Sequence, residues 1–231
     1  MNRSLVALLA TVTLAPAAVA QDVGVQIEPS SKVPFPMEIT AAGGTGTHVL
    51  AGVAIRTKTF LKVKVYAFGI YVDETPARTT LSSFANQSAR DLERNQDFYD
   101  RILDRDFAMT LRLVMTRDVG GEDMADAFDG ALRPRVQNAA SDMNMPGGEA
   151  ALDTFRGYFS VDEMTKESEL LFTCTPNGTL SSLVKGQRAD DINSNALCWA
   201  LFDVFLGEDP ISNGGKKTVI ANFPNILVSG N

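Results

Sequence analysis

The chain has 231 residues, an apolar fraction of 45% and a formal charge of −7. That length allows one large or two small domains with a sizeable core, and an acidic chain without a basic cluster is a poor partner for nucleic acid, whose phosphates repel it. Two cysteines and one histidine cannot furnish a zinc site, and the sequence holds no Gly-rich phosphate loop, no G-x-S-x-G elbow and no H-E-x-x-H.

Residues 1–20 read as a secretory signal peptide cleaved after Ala20. Arg3 makes the basic start, residues 5–14 the apolar stretch, and Ala18-Val19-Ala20 the small-residue cleavage site. The apolar stretch is too short to span a bilayer, and no later one is long enough. The expectation is a periplasmic or secreted bacterial protein. Residues 21–36 are polar and proline-bearing, and are expected to be a flexible lead-in to one domain over 37–231.

A short strand is expected at 37–40. Two longer ones, 48–57 and 60–73, are separated by little more than a turn and form an antiparallel hairpin. Alternation puts Leu50, Gly52, Ala54 and Arg56 on one face, and the small companions of Arg56 leave room above the sheet. In the second strand Tyr66, Phe68, Ile70 and Val72 share a face and the opposite face is also apolar, so this strand should be central and covered on both sides. With a regular turn, Arg56 falls opposite about residue 64, within diagonal reach of Tyr66.

An arginine in an apolar sheet is costly unless an acceptor meets it. Two answers fit. Arg56 is structural, bonding a carboxylate or strand-end carbonyls; or its guanidinium and the Tyr66 phenol hold an anionic group of a ligand. His48, near the start of the same strand, reads as a surface or capping residue.

Residues 79–104 suit surface helices with a thin apolar stripe. Residues 107–115 alternate, with Phe107, Met109, Leu111, Leu113 and Met115 on one face. Helices are expected at 122–138, interrupted late by Pro134, and at 149–159. Strands 169–175 and 179–184 flank the turn Pro176-Asn177-Gly178. The most apolar helix spans 193–206, and a last one starts near 215, to be ended or kinked by Pro224. Cys174 sits in a strand and Cys198 on the apolar side of a helix. They are either a disulfide formed in an oxidising compartment or two free core cysteines. The economical architecture is one α+β domain, an antiparallel sheet with helices mainly on one side.

Two stretches carry a family resemblance. Arg56-Thr57-Lys58 followed by Lys62-Val63-Lys64-Val65-Tyr66-Ala67-Phe68-Gly69-Ile70-Tyr71, and Asn195-Ala196-Leu197-Cys198-Trp199-Ala200-Leu201-Phe202-Asp203 continuing to Ser212, resemble the chalcone isomerase superfamily. The resemblance runs from about residue 37 to 227. It implies an open-faced β-sandwich, a large antiparallel sheet covered by a layer of helices, with a ligand cleft between them.

The superfamily has an enzymatic branch, which cyclises chalcones to flavanones, and a non-catalytic branch that holds fatty acids. In both, the arginine matching Arg56 faces the ligand, and in the binders a tyrosine matching Tyr66 assists it. The tyrosine, asparagine and threonine of the enzymes fall near Met124, Ala131 and Val204. The resemblance therefore implies a binder of a small hydrophobic carboxylate through Arg56 and Tyr66, without cofactor or metal. Met109, Met115 and Met124 are candidates to line an adaptable pocket. The alternatives are an isomerase or intramolecular lyase acting on a chalcone or other enone with Arg56 as electrophile, and a structural or partner-binding protein with a filled cleft.

Overall fold

In a computed structural model the chain is described over residues 24–44, 46–58 and 62–228, so the signal peptide expected at 1–20 lies outside the described residues. The elements run β1 (Val25–Ile27), β2 (Pro34–Pro36), β3 (Glu38–Thr40), β4 (Thr47–Lys58), β5 (Val63–Val72), α1 (Glu74–Thr80), α2 (Ala89–Leu92), α3 (Gln96–Leu103), β6 (Met109–Met115), β7 (Val119–Gly120), α4 (Gly121–Asp142), α5 (Gly148–Gly157), β8 (Glu163–Met164), β9 (Glu169–Cys174), β10 (Thr179–Val184), β11 (Gln187–Arg188), β12 (Ile192–Asn193), α6 (Asn195–Leu206) and α7 (Asn213–Val228). The main sheet is eight-stranded, ordered β11-β10-β9-β6-β5-β4-β3 with β12 on β10. Its pairings are antiparallel.

The helices bury one face of this sheet. Phe68, Ile70, Leu111, Leu113 and Phe172 pack beneath Leu197, Phe202, Phe205 and Phe223 in one large core. The other face carries a smaller cluster of Phe35, Leu50, Val53, Ala67, Tyr71 and Val114. This is an open-faced β-sandwich of the α+β class, and β5 is covered on both sides as its two apolar faces require.

Residues 24–36 are not a loose lead-in. β1 pairs with β2, and Phe35 is fully buried against the outer face. Arg112 holds this hairpin down: its Nη1 donates to the Pro34 carbonyl at 3.0 Å, its guanidinium lies 4.9 Å from the Phe35 ring centroid, and Glu169 pairs with it. An aromatic ring of this size buried among apolar neighbours contributes a few kcal/mol, on the order of 2–3. The structured domain thus includes this segment.

Two register shifts in the β4–β5 ladder, between Leu50 and Gly52 and between Arg56 and Thr57, depart from simple alternation. The first sends Leu50 to the outer cluster while Ala51 joins the helix-side core. The second brings Arg56 directly opposite Tyr66, not residue 64. The room expected above Gly52 and Ala54 is occupied by α7. A Cβ on Gly52 would lie 2.8 Å from the Val219 Cα, and one on Gly215 would lie 2.9 Å from the Ala54 Cβ. The small residues admit a helix backbone.

Both prolines expected to break helices lie inside them, Pro134 in α4 and Pro224 in α7. Each removes one donor, and packing of the surrounding turns carries the helix through: Leu132 and Val136 flank Pro134 in the core, and Phe223 and Ile226 flank Pro224. Cys174 and Cys198 form a disulfide between β9 and α6, with Cα atoms 5.7 Å apart.

His48 is buried, 1% exposed, and is neither a surface residue nor a cap. Its Nδ1 lies 2.9 Å from the Thr110 hydroxyl, which meets the Thr173 hydroxyl at 2.6 Å; the latter accepts from the Ala42 amide at 2.8 Å. Its Nε2 has no partner among the described residues. Burial holds the imidazole below the ordinary histidine range, and Asp73 only partly offsets this. The unfolded chain then takes up the proton first as pH falls below about 6.5, so stability is intact above that pH and is lost on acidification until the folded imidazole also titrates. His48 is the chain's one histidine. Unfolding temperatures measured from pH 8 to 5 are expected to fall below pH 6.5, with the unfolding free energy dropping by up to about 1.4 kcal/mol per pH unit, and His48→Gln should flatten that limb. An unchanged slope in the variant would assign the loss to carboxylates instead.

Candidate functional site

Arg56 and Tyr66 face each other where the β4–β5 hairpin leaves the main core. The bulge responsible turns both Val65 and Tyr66 toward the same side, and both line a cavity of about 620 Å³. The hairpin forms its floor with Arg56, Lys58, Val63, Val65 and Tyr66. Residues 117–120 form one rim. α4 supplies Met124, Ala127, Phe128 and Ala131, while Val204 of α6 and Ile211 close the far side.

Among the described residues, six of the lining side chains are polar: Arg56, Lys58, Tyr66, Arg117, Asp118 and Asp123. Arg56 is half-buried, and its Nη1 donates to the Ile211 carbonyl at 3.0 Å. One expected structural role, bonding a carbonyl, is therefore real, but the acceptor belongs to a loop and occupies only one of five N–H donors. Tyr66 is 8% exposed, and its hydroxyl has no hydrogen-bond partner among the described residues. Burial pushes its phenol well above the ordinary range, with Arg56 offsetting part of the rise. It therefore stays protonated and acts as a donor at neutral pH.

A guanidinium with spare N–H groups beside a protonated phenol offers donors, not bases. The arrangement fits an oxyanion. Three cations, Arg56, Lys58 and Arg117, line the cavity against two carboxylates, Asp118 and Asp123, so the site is locally positive on an acidic chain. The Asp118 carboxylate already accepts from the Lys166 amide at 2.6 Å.

Of the residues singled out in the sequence, Arg56, Tyr66, Met124, Ala131 and Val204 meet here. Met109 and Met115 do not line the cavity; they are buried in the helix-side core, 1% and 0% exposed. Both lie on the face that alternation gives them, but Met115 sits opposite Tyr66 on the next strand, with its side chain spent on core packing. Cys174 and Cys198 are likewise structural, 2% and 0% exposed. Other lining residues, among them Lys58, Val63, Val65, Arg117, Phe128 and Ile211, are not singled out by the sequence. Ile211 lies in the second motif but faces the site only because of the chain reversal between α6 and α7. Val65 lines the cavity only because of the bulge.

Among the described residues no helix is long and apolar enough to cross a membrane, and no cluster of metal-ligating side chains occurs.

The model of the chalcone isomerase-like family matches residues 46–220. Fatty-acid-binding protein 1 of Arabidopsis thaliana is 26% identical over 201 residues, covering 85% of this chain and 69% of the relative. Fatty-acid-binding protein 2 of the same plant is 28% identical over 84% of this chain, which spans only 49% of that relative. A chalcone–flavanone isomerase of Oryza sativa subsp. japonica is 28% identical over 84% of this chain and 88% of its own length. The crystal structure of an Arabidopsis thaliana fatty-acid binding protein superposes with a TM-score of 0.75 at 24% identity, covering 88% of this chain and 99% of the other, so the fold is shared. The family match spans both motifs, the arginine–tyrosine floor and the roof of the cavity; the chain belongs to the chalcone isomerase-like family.

Proposed function

We propose that this chain is a non-catalytic, exported binding protein for a hydrophobic molecule with an anionic head, fatty-acid-like in its chemistry. The head takes the spare donors of Arg56 and the phenol of Tyr66; the tail lies among Val63, Val65, Met124, Phe128, Ala131 and Val204. The observation that carries this reading is the direct pairing of Arg56 with a protonated Tyr66 in a cavity whose other walls include Val63, Val65, Met124, Phe128, Ala131 and Val204. Its volume, about 620 Å³, falls in the range of roughly 300–1,000 Å³ usual for small-molecule sites.

Three features support binding over catalysis. Met124, Ala131 and Val204, which stand where the enzymes of the superfamily are expected to place a tyrosine, an asparagine and a threonine, line the cavity and have no proton to give. Without those groups a chalcone would be poorly oriented for ring closure, and orientation is worth many kcal/mol, on the order of 7 or more. Two of the relatives carry fatty-acid binding in their names. Export is supported by the signal-peptide pattern at 1–20 and by the disulfide, which persists in oxidising compartments.

Titration of the purified protein with laurate is expected to show saturable binding, and Arg56→Ala to weaken it about 10- to 100-fold through loss of charge-assisted hydrogen bonds. Native mass spectrometry should find a co-purified acid. No laurate binding and no effect of Arg56→Ala would sink the proposal. Arg56-dependent turnover in a panel of chalcones and related enones would replace it with the isomerase reading.

A further inference from the structure

The segment joining α6 to α7, residues 207–212, is fastened by three cations, each donating to one of its carbonyls. Lys216 Nζ meets the Gly207 carbonyl at 2.7 Å, Arg135 Nη2 meets that of Asp209 at 2.6 Å, and Arg56 Nη1 meets that of Ile211 at 3.0 Å. Ile211 lines the ligand cavity. Gly207, Glu208 and Asp209 line a second cavity of about 570 Å³ on the other side of this strap.

Arg135 is the most fully engaged of the three. Besides Asp209, its Nε donates to Asp203 Oδ2 at 2.7 Å and its Nη1 to the Ala131 carbonyl at 2.9 Å. All three guanidinium nitrogens are used, and they join α4, α6 and the strap. Both side chains of the Arg135–Asp203 pair are mostly buried, 17% and 16% exposed. Arg135 is not among the residues lining the cavity that holds Arg56.

We infer that Arg135 is a positioning residue for anion recognition. It fixes the strap through Asp203 and the Asp209 carbonyl, and the strap, through the Ile211 carbonyl, aims the Arg56 guanidinium at the cavity. A free arginine side chain loses rotamer freedom when it is immobilised. Holding one N–H of Arg56 on a fixed backbone carbonyl removes much of that cost before the ligand arrives, which raises affinity through pre-organisation. The argument rests on the reading of Arg56 as the head-group ligand.

The test compares laurate with dodecan-1-ol, which has the same tail and no charge, on the wild type, Arg135→Gln, Arg135→Lys, Arg56→Gln and the Arg56→Gln/Arg135→Gln double variant, at a temperature where each is folded by circular dichroism. Arg135→Gln is expected to weaken laurate on the order of fivefold, a coupling ordinary for linked polar groups, and to leave dodecan-1-ol unchanged. Arg135→Lys, which keeps the charge but not the planar fork, should recover part of the loss. In the Arg56→Gln background the Arg135 substitution should cost laurate nothing further. If Arg135→Gln does not fold, Asp203→Asn is read in its place.

Equal weakening of both ligands, no weakening of either, or a laurate loss that persists without Arg56 overturns the positioning role. In those cases the Arg56 reading stands as long as Arg56→Gln alone removes the preference for laurate over dodecan-1-ol. If Arg56→Gln leaves that preference intact, both readings fall.

Discussion

Replacing Cys174 and Cys198 together by alanine is expected to lower the unfolding free energy by roughly 3 kcal/mol, the loop-closure value for a crosslink spanning a few tens of residues. The bridge closes a separation of 24 residues and ties the middle of the sheet to α6. It is buried on both sides, so nothing in solvent competes for the sulfurs. For a domain of this size the loss corresponds to about 10 °C in Tm. Thermal unfolding of the double variant, and of the wild type with and without reductant, measures it. A Tm within a degree of the wild type would show that the bridge adds nothing to packing that already holds α6 in place. The variant should bind laurate at low temperature, because neither cysteine touches the cavity.

The second large effect comes from two glycines on one helix. Gly121 opens α4, and a Cβ there would lie 1.9 Å from the Val161 carbonyl oxygen and 2.5 Å from that of Phe159. Both are backbone atoms and cannot rotate aside. Gly121→Ala must therefore push the start of α4 off residues 159–161, at a cost of about 3 kcal/mol. Because Met124 and Phe128 follow on the same helix and line the cavity, ligand affinity should fall with stability. Gly130, nine residues further on, has nothing within 4 Å of the same added atom. Gly130→Ala should gain up to about 1 kcal/mol from helix propensity alone. Denaturant unfolding of the two variants tests the pair: opposite signs are expected for the same substitution, and a shared sign would refute the account.

The sequence reading succeeded where the signal was local. Pro176-Asn177-Gly178 makes the β9–β10 turn because Gly178 supplies the positive φ, 80°, that the turn needs. The apolar alternation of residues 107–115 places β6 correctly, since a buried strand between two others has one way to face. It failed where one residue of slippage decides the outcome. A bulge leaves no compositional mark, so Leu50 was assigned to the wrong face and Arg56 to the wrong partner.

The rest depended on distant chain. His48 is buried at a network built from distant chain, the Thr110 hydroxyl of β6 and, through it, Thr173 of β9 and the Ala42 amide, and no window around residue 48 contains the two threonines. Gly52 and Ala54 announced a close approach, but small size does not say whether a ligand or a helix arrives; α7 decides it. Arg56 and Tyr66 were legible as a pair because both are expensive residues to bury together. The strap over them was not, since its grip depends on carbonyls, which every residue has.

The contact of α7 with β4 also sets a schedule. The bond from Asn222 to the Leu50 carbonyl joins residues 172 apart, and that from Arg56 to Ile211 joins residues 155 apart. The hairpin therefore waits for a cover that lies far along the chain. Until α7 has docked, Gly52, Ala54 and the apolar side of β4 stay open to water and available to any other unpaired surface. The candidate cavity shares that dependence: Arg56 and Tyr66 have no far wall until Val204 and Ile211 arrive, so a species collapsed around the hairpin alone has the arginine but not the pocket.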